Sequence, residues 1–442
     1  MPSSDSPALT APHVSLPQRF LRTLLVLPLA AALLLFLALA IAPLALGTPA
    51  AIDWLTLAAV VVLPVALAVI VRRRGIAPLP RIAIGYAAIL PVVIYLSIDD
   101  PVLRRPITLK EVAPAFPGAE QSFAVLMRYS KSQTLRTNFR APDRIFKKGP
   151  FSDPGKPEAW AKWLDERRAD VEADWADLAP VRAWWDELAA FDRLGDLTPG
   201  RVDADIMAFA PVRSYSQHAA AIAGLHALDG RGDDAFATLQ PLLEVSRKLE
   251  PSARTLVRFM MARVMQRTAL EAAAFVLDRT PVSPAARARF AAALERGSSG
   301  EAGARRLIAI ECAFSHDAFQ ELGIGDFIQF YAAEQFHPGD LRRELPFHAL
   351  NFASPLIFNP RRTFNLVGEL TARNQELAAH RQAGKIAESN RAFFADEGRL
   401  RFKNLAGALL MQRSLPALTK VTETYWKIED LRTALRTRLA TM

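Results

Sequence analysis

Cys312 and His316 stand one helical turn apart in "RLIAIECAFSHDAFQEL", Arg306 to Leu322, with Glu311 and Asp317 beside them. A protonated imidazole next to a thiol lowers the thiol pKa and makes a thiolate nucleophile available, so residue types and spacing here are those of a cysteine–histidine pair. The same residues also read as packing. Ile308, Cys312 and Phe319 form an apolar stripe, and a free cysteine is often buried simply as a small hydrophobe. The second reading is the expectation: Cys312 fills space and any activity survives its replacement.

Other chemistry-bearing residues are scattered. The seven histidines are His13, His218, His226, His316, His337, His348 and His380, none of them in an H-E-x-x-H pattern, and a single cysteine allows no C-x-x-C pair. His218 and His226 share a helix face, but eight residues place them about 12 Å apart along the axis, too far to ligate one ion directly. There is no phosphate-cradling glycine loop and no nucleophile elbow. In "SPLIFNPRRTFNLVGEL", Ser354 to Leu370, Arg361 and Arg362 flank a helix start that suits an anion. The alternative is a turn with Phe358 and Phe364 plugged into the core. No catalytic residue, metal ligand or cofactor is assigned.

The elements that would position such residues fall into two compositions. Residues 1 to 106 hold eight Lys/Arg and four acids, whereas the remaining 336 residues hold 46 basic and 41 acidic side chains. Leu24 to Leu46 is 23 residues without a charge, longer than the roughly 30 Å hydrocarbon thickness needs at about 1.5 Å per residue. Trp54 to Val71 and Ile82 to Ile98 give 18 and 17 more. Three transmembrane helices, 24–46, 54–71 and 82–98, are expected, after a cytoplasmic tail over 1–23.

Direction follows from the arginines. Arg19 and Arg22 precede the first run, Arg72, Arg73, Arg74 and Arg81 lie between the second and third, and Gly47 to Asp53 carries no basic residue. Positive charge stays on the cytoplasmic side, so the amino terminus is expected there and the large domain outside, in the periplasm of a bacterial cell. Everything turns on 82–98 spanning; were it a cytoplasmic hairpin, the domain would be internal.

Prolines 101, 106, 114, 117, 142, 150, 154 and 157 make 99–157 a loop-rich neck, interrupted by a helix near Glu120 to Arg136. From 158 to 442 the pattern is helical. Trp160, Trp163, Leu164, Val171 and Trp175 recur at helical spacing. Further helices are predicted over Asp203–Leu228, Asp233–Leu249, Ser252–Leu277, Pro284–Glu295, Ala302–Leu322, Asp326–Phe336, Arg362–His380 and Leu405–Leu439, separated by Gly/Pro/Asp punctuation. Period-2 alternation is lacking. The fold class is therefore all-α: N-terminal transmembrane helices followed by a multi-helix domain of helical hairpins, with a solenoid-like stack as one option.

Gln217 to Glu250 places two helices around a Gly-rich turn and resembles a tetratricopeptide-type hairpin, with Gly230 at the turn and Ala235 early in the second helix. The resemblance covers these 34 residues and lacks the large aromatic and closing proline of the pattern. It implies a concave peptide-binding surface; an ordinary hairpin is the alternative.

Acids and bases interleave after residue 106, so the net charge of +9 is not a nucleic-acid footprint and no nucleic-acid partner is expected. The expected partners are the lipid bilayer and a protein or peptide. Function is read as a membrane-anchored scaffold or binding module of the cell envelope; the alternative is an envelope enzyme, hydrolase-like, whose site assembles from residues on different helices.

Overall fold

The computed structural model describes residues 107–131, 157–201, 204, 209–295, 300–321, 360–397 and 417–442. The three apolar runs at 24–46, 54–71 and 82–98, the helix predicted over Asp326–Phe336 and the first part of the one predicted from Leu405 lie outside the described residues. Among the described residues every regular element is helical, and no helix is long and apolar enough to cross a membrane.

The helices, in chain order, are α1 (Leu109–Val112), α2 (Ala119–Lys131), α3 (Pro157–Glu166), α4 (Arg168–Asp177), α5 (Ala179–Ala190), α6 (Phe209–Leu228) and α7 (Gly232–Leu249). A 3-10 turn, Glu250–Ser252, leads to α8 (Leu256–Arg279), then α9 (Pro284–Glu295), α10 (Gly300–Glu321), α11 (Pro360–Ala379), α12 (Ala383–Glu397) and α13 (Ala417–Thr441). Two compact units divide the chain. One takes Met1–Pro101, Gly323–Thr363 and Ala392–Leu410; the other takes Val102–Leu322, Phe364–Arg391 and Met411–Met442, and carries the packing that follows.

The centre of that unit is α8. Phe259, Met261, Ala262, Met265, Ala269, Leu270, Ala272, Ala273, Phe275 and Val276 are buried, and Val257, Met260, Val264, Arg267, Glu271 and Asp278 form the one stripe that reaches solvent. The helix packs against α6, α7 and α13. Thr255 caps its start, the hydroxyl accepting from the Arg258 N–H at 3.2 Å.

Residues 157–190 read as one amphipathic run, and the structure breaks it twice. Arg167 and Leu178 leave helical geometry with ψ of 12° and 6°. Pro180 sits in the first turn of α5, where its missing N–H has no partner to lose. Both breaks keep Leu164, Val171, Leu178 and Val181 facing inward, at 1% exposure or less. A straight helix drifts about 20° over each seven residues, so bends at these points hold the seven-residue apolar spacing on the core.

Among the described residues of the stretch read as a neck there are two helices, α1 and α2. Glu111 caps α1 by accepting from the Thr108 N–H at 2.9 Å. α2 docks through Trp184, whose indole N–H donates to the Val125 carbonyl at 2.8 Å. The α6–α7 hairpin forms as expected, closing on Gly230 at φ 75°. Its turn is a Schellman cap: Gly230 N–H donates to Ala227 and Arg231 N–H to His226, at 3.1 and 2.8 Å. Among the described residues α6 packs against α3, α4, α7 and α8.

Candidate functional site

Cys312 is buried, and burial together with the Glu311 charge pushes its thiol up to about 12 against a hydrogen bond from Thr371 that lowers it. That is the wrong direction for a nucleophile, which needs thiolate near neutral pH. His316, also buried, has Nδ1 3.0 Å from Asp317 and its ring 4.5 Å from Phe364. Asp317 in turn accepts from the Leu109 N–H at 3.4 Å, tying α10 to the start of α1. The constellation is packing and capping.

The two α6 histidines behave likewise. His218 is fully buried, its Nδ1 2.8 Å from the Ser214 carbonyl and its Nε2 3.5 Å from Asp174, and burial lowers its pKa. His226 is also lowered, first by burial and then by Arg231. Arg361 and Arg362 fall in the first turn of α11. Among the described residues no group of three His, Cys, Asp or Glu is placed to hold a metal ion.

Two buried charge clusters went unread in the sequence. In the first, Arg258 donates to Asp196, and both are buried. Asp196 also accepts from the Thr198 N–H at 2.9 Å, the Thr198 hydroxyl at 2.6 Å and the Arg254 N–H at 2.7 Å. The carboxylate thus fastens the loop after α5 to the start of α8.

In the second, Arg263 reaches Glu250 at 3.1 Å and Glu429 at 2.6 Å, and Gln266 donates to Glu250 at 2.9 Å. Glu429 accepts the Gly300 N–H at 2.9 Å, and the Tyr425 ring lies 4.2 Å from the Arg263 guanidinium. Two carboxylates hold Arg263 charged, while complete burial pushes Glu250 up despite that pairing. The cluster joins the 3-10 turn, α8, α10 and α13.

Beside the second cluster lies a cavity of about 180 Å³. Asp192, Arg193 and Leu194 form one wall, Glu244, Arg247 and Lys248 at the end of α7 another, with Pro251, Ser252 and Ala293 between them. Arg247 is 6% exposed and also lines a crevice of about 10 Å³ with Glu250, Gln266 and Arg432, room for about one water. Arg193 is fixed by the Phe116 ring, 4.2 Å from its guanidinium. Lys248 donates to the Ala189 carbonyl at 2.5 Å, and Glu244 accepts from Gln240 at 2.7 Å. Phe236, Leu239 and Leu243 are core positions, and Arg247 follows them on the same face of α7.

Comparison with protein-family models, with curated proteins and with solved structures finds no match to this chain.

Proposed function

We propose that the protein is a membrane-anchored scaffold of the bacterial cell envelope whose helical domain binds a protein or peptide partner. Its anchor is the set of three uncharged runs over 24–98, with the amino terminus cytoplasmic and the domain outside. The supporting observation is how the domain uses its ionisable groups. Asp196 with Arg258, and Glu250 and Glu429 with Arg263, hold helices to one another, and Cys312, His316 and His218 are packed among neighbours rather than converging on the cavity. The cavity gathers charged side chains from the loop after α5 and from α7, the mixture of fixed polar groups that recognition needs.

Crosslinking in intact cells, followed by purification of the full-length protein under denaturing conditions, tests the reading. The same polypeptide should be recovered in replicate preparations and lost when residues 158–442 are deleted. Recovery of no reproducible species would count against a scaffold.

A further inference from the structure

From the solvent-facing stripe of α8 we infer that Leu256, Val257, Met260 and Val264 dock on the surface of the lipid bilayer, an inference that rests on the membrane-anchored reading above. Val257 is 47% exposed, and among the described residues only Leu431 and Met442 are other large apolar side chains left in the open. Leu256, Met260 and Val264 are half-buried on the same side of the helix, at three- and four-residue spacing, so the apolar part of the stripe runs about 12 Å along the axis. Beyond Val264 the stripe turns charged, with Arg267, Glu271 and Asp278. Its apolar part therefore sits at the amino-terminal end of α8.

That end is the one the chain ties to the proposed anchor. Arg254, just before α8, donates to the Ala113 carbonyl at 3.5 Å, and Arg306 donates to the carbonyls of Val112 and Pro251, so α1 closes against the start of α8. Between Ile98, where the third apolar run ends, and Leu109 there are ten residues, Asp99 to Thr108, which span at most about 36 Å when fully extended. The apolar part of the stripe is held near lipid, whereas Asp234, at the other end of α7, lies about 24 Å along that helix from the 3-10 turn. A tether makes the contact intramolecular and raises its effective concentration, so a few apolar side chains suffice. Over residues 99–111 the charges balance, Arg104, Arg105 and Lys110 against Asp99, Asp100 and Glu111. The contact is therefore apolar and depends little on salt.

The test uses the full-length protein carrying Cys312→Ala, reconstituted into phosphatidylethanolamine–phosphatidylglycerol vesicles, with a nitrobenzoxadiazole fluorophore attached through Val257→Cys or, as the control, through Asp234→Cys, both exposed positions. Lipid carrying a doxyl spin label near the headgroup end of its acyl chain should quench the fluorophore at position 257 at least about twofold more than the one at 234. The difference should persist in about 1 M sodium chloride, where charges are screened within about 3 Å. With the fluorophore moved to Lys110→Cys, Val257→Asp should cut the quenching by at least about half. Equal quenching at 257 and 234, or no response to Val257→Asp, overturns the inference, and flotation of the protein with the vesicles then leaves the anchor standing. Failure to float removes the anchor and this contact together. A shift of the 257 emission to shorter wavelength without quenching by the labelled lipid would mark a protein covering the stripe and overturn the inference too.

Discussion

Asp196 shows what a single residue can decide in this fold. Its carboxylate takes four donors, from Arg258, Arg254 and both the N–H and hydroxyl of Thr198. Asp196→Ala strands the buried Arg258 charge along with three further donors, and removing one partner of a buried ion pair costs about 3–5 kcal/mol. Arg258→Met leaves the carboxylate its three remaining donors, so it should cost less. Urea unfolding of the full chain in detergent, followed by tryptophan fluorescence, measures both; Arg258→Met destabilising more than Asp196→Ala would contradict the account. None of this was legible in the sequence, because nothing local separates Asp196 from the acids on the solvated faces of α3 and α4. The Cys312 and His316 pair, by contrast, was legible as packing from the apolar stripe around it, and the thiol's upward shift has the same origin in burial.

At the scale of elements, helix ends carry most of the local specificity. Gly230 and Arg381 both occupy left-handed geometry, at φ 75° and 59°. For Gly230 this is free, but for an arginine it costs about 1–2 kcal/mol. Arg381 recovers part of that through its side chain, which donates to Asp430 at 2.7 Å and lies 4.2 Å over Trp426. The turn it makes lets α12 start at Ala383, directly after α11. This is why α12 was missed: its restart carries no proline, and its only local glycine, Gly384, lies inside the helix. The boundaries predicted for α7, α9 and α11 fall within two residues of those observed, since Gly, Pro and Asp mark them. The breaks at Arg167 and Leu178 carry no such punctuation.

Two glycines test this reading of the elements. A Cβ on Gly232 would come 2.3 Å from the Pro281 carbonyl oxygen, a backbone atom that cannot swing aside, while one on Gly384 meets nothing within 4 Å. Gly232→Ala should therefore destabilise by about 1–3 kcal/mol, as overpacking does. Gly384→Ala should stabilise by up to about 1 kcal/mol, from lower chain entropy in the unfolded state. Shifts of equal sign in the unfolding midpoint would contradict the local packing.

For the whole molecule, the all-helical architecture of the described domain follows from the three- and four-residue apolar spacing that runs from Trp160 onward. Interior chemistry does not follow from that spacing. Arg258, Arg263 and Arg247 look like surface residues until the neighbours of α7 and α8 are known, because burial of a charge is decided by elements far away in the chain, such as α13 for Arg263. The proposed placement of that domain in the envelope rests on a different physical quantity, the free energy of moving 17 uncharged residues, Ile82 to Ile98, into lipid. The proposed direction rests on the four arginines before them.

Paired reporter fusions after Pro150 measure that placement most directly. The account predicts active alkaline phosphatase and a dark cytoplasm-only fluorescent protein at this junction. A bright fluorescent fusion with inactive phosphatase would put the helical domain in the cytoplasm and contradict it.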